Sequence, residues 1–259
     1  MRVTSVQLEI KDQPKEEAVQ STLKLLDNIP ESDLVLLPEL WPSGYFSFDR
    51  YQRESEAIDG PTVKAFGKKA ATLKSYLLMG SLVEREEDNL FNTAVLLNPE
   101  GQIAATYRKI HLFGYQSDER RLLKPGNKLG LGETPWGIIG MTTCYDLRFP
   151  ELYRKMVDRG ALFFLIPSAW PLARLDAWRL FNRARAHENF VYLVSCNCAG
   201  SDGGTPYAGH SMIVDPLGKI IAEGGEDGCL VTAEIDPNLV HETRKDFTAL
   251  DDRIFRSIQ

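Results

Sequence analysis

The chain has 259 residues, 43% hydrophobic and 25% charged, which is enough for one large core. Its 30 Lys and Arg stand against 36 Asp and Glu, and the net charge of −6 argues against nucleic-acid or anionic-membrane partners. No apolar run approaches the roughly 20 residues of a membrane helix. The alternating start "MRVTSVQLEI" has no signal-peptide character, and the four cysteines carry no disulfide framework, so a reducing cytoplasm is expected.

Val3 to Leu8 reads as a strand, and Glu16 to Asn28 has helical spacing. "DLVLLPEL" is a buried strand stopped by Pro38, and Pro61 opens a helix running to about Leu73. "SYLLMGSLV" is a strand. "LFNTAVLLN" and "QIAATYRKI" flank Pro99-Glu100-Gly101 as a hairpin, and residues 111 to 128 are loop-like. "WGIIGMTTC" is the next strand, Glu151 to Arg159 a helix, "ALFFLIP" a buried strand and Leu175 to Asn189 a helix. "FVYLVSCNC", "HSMIVD", "KIIAEG" and "CLVTAEI" are strands between Gly and Pro turns, and the tail from Phe247 has few core signals. Helices alternate with strands in the middle while hairpins lie before and after, which predicts an α/β layered sandwich with mixed sheets. No repeat or linker appears, so residues 1–259 read as one domain, with about 246–259 a tail that is disordered or packs on a partner subunit.

Three polar residues stand at the ends of apolar strands: Glu39 after "LVLLP", Lys109 after "IAATYR" and Cys144 after "WGIIGMTT". Sites in α/β sheets gather where strands end. Brought together, the three make an acyl-transfer set. A thiol needs a base, a carboxylate can take its proton, and an ammonium favours thiolate and stabilises an oxyanion. The turn after Cys144 exposes backbone N–H groups, and that of Tyr145 can join Lys109 in an oxyanion hole. Each residue also has a plainer reading, as a loop carboxylate, a solvated strand end and a packing cysteine.

"LLPELWPSGY", "YRKIHLF" and "CYDLRFPELYR" resemble, in order, the three catalytic blocks of the carbon–nitrogen hydrolase, or nitrilase, superfamily, and the likeness runs on through "ARAHEN" and "GHSMIVDPLGKIIAEG". The resemblance implies Glu39 as general base, Lys109 as oxyanion stabiliser and Cys144 as nucleophile. It implies Glu119, before Pro125-Gly126, as the residue that orients Lys109 and substrate, with Asp118 its neighbouring rival. It further implies an αββα sandwich that forms a homodimer or larger assembly, and a thioester mechanism with no metal and no cofactor.

"CYDLRFPE", "WPLARLDAW" and "CNCAGSDGG" are most similar to the omega-amidase branch, which cleaves the terminal amide of short dicarboxylic and 2-oxo acids such as 2-oxoglutaramate. Such a substrate carries a carboxylate, and Arg148 is the candidate cation, with a salt bridge to Glu151 as its structural alternative. Trp170 is a candidate pocket wall or a packing aromatic. Trp41, Tyr45 and Phe46 follow Glu39 in a loop that either covers the site or simply packs. The other readings are an N-carbamoyl amino acid hydrolase, a nitrilase, an amidase for deaminated glutathione, and a catalytically silent scaffold. Cys196 and Cys198, two apart in a strand, are expected to point to one face as packing cysteines. The four histidines have no zinc-type spacing, and Arg185 and Glu188 are expected to pair along a helix.

Overall fold

Leu34 and Leu36 face one hydrophobic core while Val35 and Leu37 face another, and all four are fully buried. The period of two along a strand therefore feeds two cores at once, which requires cover on both faces of the sheet. The computed structural model, which describes residues 1–255, shows what supplies it.

The chain begins with β1 (Arg2–Gln7), β2 (Glu9–Ile10), α1 (Lys15–Leu25), β3 (Leu34–Leu36), α2 (Tyr51–Glu54) and α3 (Pro61–Leu73). It continues through β4 (Tyr76–Glu86), β5 (Asn89–Leu97), β6 (Ile103–Arg108), α4 (Glu119–Leu122), β7 (Gly130–Thr134), β8 (Gly137–Met141) and α5 (Pro150–Asp158). It ends with β9 (Ala161–Ser168), α6 (Leu175–Asn189), β10 (Tyr192–Asn197), β11 (Ala199–Asp202), β12 (Thr205–Pro206), β13 (Met212–Val214), β14 (Ile220–Glu223), β15 (Cys229–Glu234) and α7 (Asn238–Asp246).

Among the described residues there are two six-stranded sheets, ordered β15-β1-β3-β4-β5-β6 and β14-β13-β10-β9-β8-β7, and a small sheet β12-β11-β2. In the first, β1, β3 and β4 run parallel; in the second, β10, β9 and β8 do. Antiparallel strands flank each parallel trio. The sheets pack face to face through β1 with β10 and β4 with β9, and Ser5 Oγ donates across the gap to the Ser195 carbonyl at 3.1 Å. Helices α1 and α3 cover the outer face of the first sheet, and α5 and α6 that of the second. This is the α/β layered sandwich with mixed sheets that the element pattern predicts, in the αββα order that the family resemblance implies.

The covering helices are placed by simple rules. Pro61 and Pro150 open α3 and α5, where a missing N–H costs nothing. Val63, Phe66 and Ala70 form the buried stripe of α3, and Leu152, Tyr153, Met156 and Val157 that of α5. Each fully buried large side chain contributes about 1.5–3 kcal/mol. Both α3 and α6 stop at a left-handed residue, Lys74 and Phe190.

Five readings need correction or completion. The edge strand β7 and helix α7 are absent from the sequence reading, and the 111–128 stretch holds one helical turn, α4. Cys196 and Cys198 do not share a face. Strand β10 stops at Asn197, so Cys196 packs in the core between and behind the sheets, while Cys198 belongs to the core under α1 and α3. The tail is anchored as far as it is described, with Phe247 against Phe190 at 5.7 Å and Arg253 paired with Asp158 at 2.7 Å; its last residues, 256–259, lie outside the described part.

Candidate active site

Strand direction brings the site together. β5 is antiparallel to β4 and β6 to β5, so β6 runs the same way as β3 and β4. Glu39 and Lys109, just past β3 and β6, therefore lie at the same edge of the first sheet. Cys144 follows β8, and Ala169 and Trp170 follow β9, in the facing sheet. The Glu39 N–H reaches the Ser168 carbonyl at 3.4 Å, and the Ala169 N–H donates to Glu39 Oε2 at 2.9 Å. The carboxylate is thus fastened across the two sheets.

Lys109 Nζ donates to Glu39 Oε1 at 2.8 Å and to Glu119 Oε1 and Oε2 at 2.9 and 3.1 Å. Glu119 also accepts from the Phe113 N–H at 2.7 Å and the Tyr45 hydroxyl at 3.1 Å. Glu39 and Glu119 are both 0% exposed and Lys109 1%. Asp118 is instead at the surface, ion-paired with Arg121 at 2.9 Å, so Glu119 is the acidic residue that enters the site.

Cys144 opens a 3-10 turn, Cys144–Arg148, with φ +46, a left-handed conformation rare for a side chain other than glycine. Asp146 fixes that turn. Its carboxylate accepts from the Thr143 N–H at 2.9 Å, the His111 N–H at 3.0 Å and the Tyr107 hydroxyl at 2.8 Å, and it also meets His111 Nδ1 at 2.7 Å. The turn is thereby tied to the segment that carries Lys109. The Tyr145 N–H is one of the donors that the start of such a turn leaves unsatisfied.

Charge follows burial. Loss of solvent pushes the Glu39 carboxyl above its ordinary value; Lys109 pulls it back and Glu119 pushes it further up. Burial pushes Lys109 down, but Glu119, Glu39 and Cys144 outweigh this and hold its ammonium well above the usual lysine value. Burial and then Glu39 push the Cys144 thiol well up, against smaller opposing effects from Lys109 and the Ala169 N–H. The resting sulfur therefore keeps its proton. The expectation that the neighbouring ammonium would favour thiolate is met in direction but overridden in size. This arrangement suits proton transfer from sulfur to Glu39 in concert with attack on a carbonyl, rather than a standing thiolate.

Cys144 closes one end of a pocket walled by Tyr45, Phe46, Phe113, Tyr145 and Trp170. Arg148 lines it too, its guanidinium over Trp170 and Phe181 at 5.1 Å and over Tyr145 at 5.9 Å. It makes no ion pair with Glu151 or any other carboxylate among the described residues. Trp170 both lines the pocket and packs, 2% exposed, against Trp178. Of the loop aromatics, Tyr45 and Phe46 face the pocket, whereas Trp41 is a core residue against Phe66 and donates to the Met79 carbonyl at 2.8 Å. Arg185 and Glu188 pair along α6 at 2.8 Å.

Three residues at the site escape the sequence reading. Asn92, inside β5, donates to Glu39 and Glu119; Asp146 holds the Cys144 turn; Arg174 lines the pocket beside Arg148. Asn92 and Thr93 interrupt the apolar run of a strand buried on both sides, and that interruption is the available signal.

The carbon-nitrogen hydrolase family model matches residues 2–245. A 2-oxoglutaramate amidase of Paenarthrobacter nicotinovorans is 35% identical over 246 residues, 92% of this chain and 84% of that one. A 2-oxoglutaramate amidase of Bacillus subtilis is 38% identical over 222 residues, 85% of each chain. The solved structure of a CN-hydrolase superfamily protein of Xanthomonas campestris, with an arsenic adduct in its active site, superposes with a TM-score of 0.92 at 32% identity, covering 100% of this chain and 99% of that one. With its blocks in order and its strand ends converging on one chamber, the chain belongs to the carbon–nitrogen hydrolase family and is a hydrolase of carbon–nitrogen bonds.

Proposed function

We propose that the protein is a thiol amidohydrolase that releases ammonia from the terminal amide of a short substrate bearing a carboxylate, in the manner of a 2-oxoglutaramate amidase. The observation that carries this reading is the convergence of Glu39, Lys109, Glu119 and Cys144 in a buried chamber that opens into a pocket lined by the guanidinium of Arg148, which no carboxylate among the described residues pairs with. The names of the relatives from Paenarthrobacter and Bacillus support the same substrate class.

In this reading Glu39 takes the Cys144 proton as sulfur attacks the amide carbon. Lys109 and the Tyr145 N–H hold the oxyanion, and Glu119 keeps Lys109 in place. Glu39 then passes the proton to the leaving nitrogen, ammonia departs and a thioester remains. Water, deprotonated by Glu39, attacks the thioester; the acid leaves and the thiol is restored. Trp170 walls the pocket, and Arg148 grips the far carboxylate in a charge-assisted, bidentate contact.

The match over residues 2–245 supports one carbon–nitrogen hydrolase domain followed by a tail. No helix among the described residues is long and apolar enough to cross a membrane. We read the chain as a cytoplasmic homodimer; the exposed Phe247, Ile254 and Phe255 of the tail supply apolar surface for a partner subunit.

The test is ammonia release from 2-oxoglutaramate by wild type and Cys144→Ala side by side. Wild type is expected to release ammonia, and the variant to lose about 10⁴-fold or more. Equal turnover by both would overturn the mechanism, and no release by wild type would overturn the substrate assignment.

A further inference from the structure

The geometry points to Arg174 as a second carboxylate-recognition residue, which acts with Arg148 to select amides that carry a negative charge at the end remote from the scissile bond. This rests on the amidase reading above and adds to it the residue that completes the anion site.

Two guanidinium groups line the pocket that ends at Cys144, and they come from different elements. Arg148 belongs to the turn after the cysteine, and Arg174 ends a 3-10 turn, Leu172–Arg174, just before α6. Arg174 stands over Phe113 at 5.4 Å and Tyr115 at 5.7 Å, on a different set of rings from those under Arg148. Both are half-buried, and neither is ion-paired among the described residues. Arg108, Arg121, Arg179 and Arg185, by contrast, each pair with a carboxylate.

A partly desolvated guanidinium without a counter-charge is unfavourable, and ring contacts offset only part of that. Two such groups in one small pocket also repel each other. A bound carboxylate removes both penalties, since its two oxygens offer about four lone-pair sites to the donors of two forks.

Trp170 couples the pair. Its ring supports the Arg148 guanidinium at 5.1 Å, and its Nε1–H donates to the Arg174 carbonyl at 2.8 Å. The Arg174 N–H is held in turn by the Pro171 carbonyl at 3.0 Å. The backbone of Arg174 is thus fixed in the pocket wall, while its side chain has no protein acceptor among the described residues.

The test compares succinamate with its neutral analogue butyramide. In Arg174→Gln the ratio of kcat/KM for succinamate to that for butyramide is expected to fall at least tenfold, through KM rather than kcat, and Arg174→Lys is expected to recover part of the loss. A folded Arg174→Gln with an unchanged ratio would overturn the assignment, as would an Arg174→Lys that discriminates no better than the glutamine variant. Calorimetric titration of succinamate into Cys144→Ala, with and without Arg174→Gln, reads binding apart from turnover; a tenfold weaker affinity supports the assignment, and equal affinities overturn it. If the Cys144→Ala protein holds succinamate no better than butyramide, the carboxylate reading of the pocket falls with it. If it prefers succinamate and keeps that preference without Arg174, only the present inference falls.

Discussion

Asn92 Nδ2 stands 2.8 Å from Glu39 Oε1 and 3.1 Å from Glu119 Oε1, so one side-chain amide bridges two buried carboxylates. Its two N–H groups serve one acceptor each. Donation to a carboxylate favours the charged form, so Asn92 restrains the upward push that burial gives Glu39. Asn92→Leu is expected to move the acid limb of kcat/KM toward higher pH and to lower kcat by about 10- to 100-fold. The check is a pH–rate profile beside the wild type's, with a melting curve to separate loss of fold. A folded variant with an unmoved acid limb would show that Asn92 is only filler.

The wild-type profile has its own sign. Glu39 must be unprotonated to accept the thiol proton, and burial raises it above the ordinary 4.5. Activity is therefore expected to fall as pH drops through a value above 4.5. Lys109 is held well above 10.5, so its ammonium imposes no alkaline limb below that pH. Measuring kcat/KM on a carboxylated amide from pH 4 to 10 decides this, and an acid limb at or below 4.5 would contradict the burial argument.

Gly80 has φ +72 at the irregular point of β4, and a Cβ built there would lie 1.9 Å from the Pro38 carbonyl oxygen. Only glycine lets β4 come this close to the residue before Glu39. Gly80→Ala is expected to cost about 3 kcal/mol or more in denaturant unfolding. It should also lower activity beyond what the lost stability explains, because Pro38 carries the base. A Gly80→Ala protein that unfolds at the wild-type midpoint would remove this constraint.

Much of this was legible in the sequence, and the residues show why. Glu39, Lys109 and Cys144 stand out because each ends an apolar run, and α3 and α6 were bounded by Pro61 and by spacing. Strand β7 reads "GLGET", with two glycines and one large apolar residue, so its partner β8 defines it more than its own pattern does. Helix α7 buries only Val240 and Thr243, too little for a periodic signal. Asn92 and Arg174 were hidden for another reason. Their meaning lies in what faces them across 53 residues from Asn92 to Glu39, or in the absence of a carboxylate partner, and neither is a local property.

The shared chamber of Glu39 and Cys144 also sets what must pass its mouth during a turnover. A proton moving from sulfur to carboxylate relocates one negative charge without creating another, so the enclosed volume keeps the same total charge from approach to acyl transfer. An interior poor in water resists a change in that total far more than a shift within it. After the acyl group is attached, the traffic is an uncharged base outward and an uncharged water inward. Ionic exchange with bulk solvent is needed only when the anionic substrate enters and when the free acid departs. The aromatic loop that carries Tyr45 and Phe46 can therefore stay closed to ions through the chemical steps between those two events.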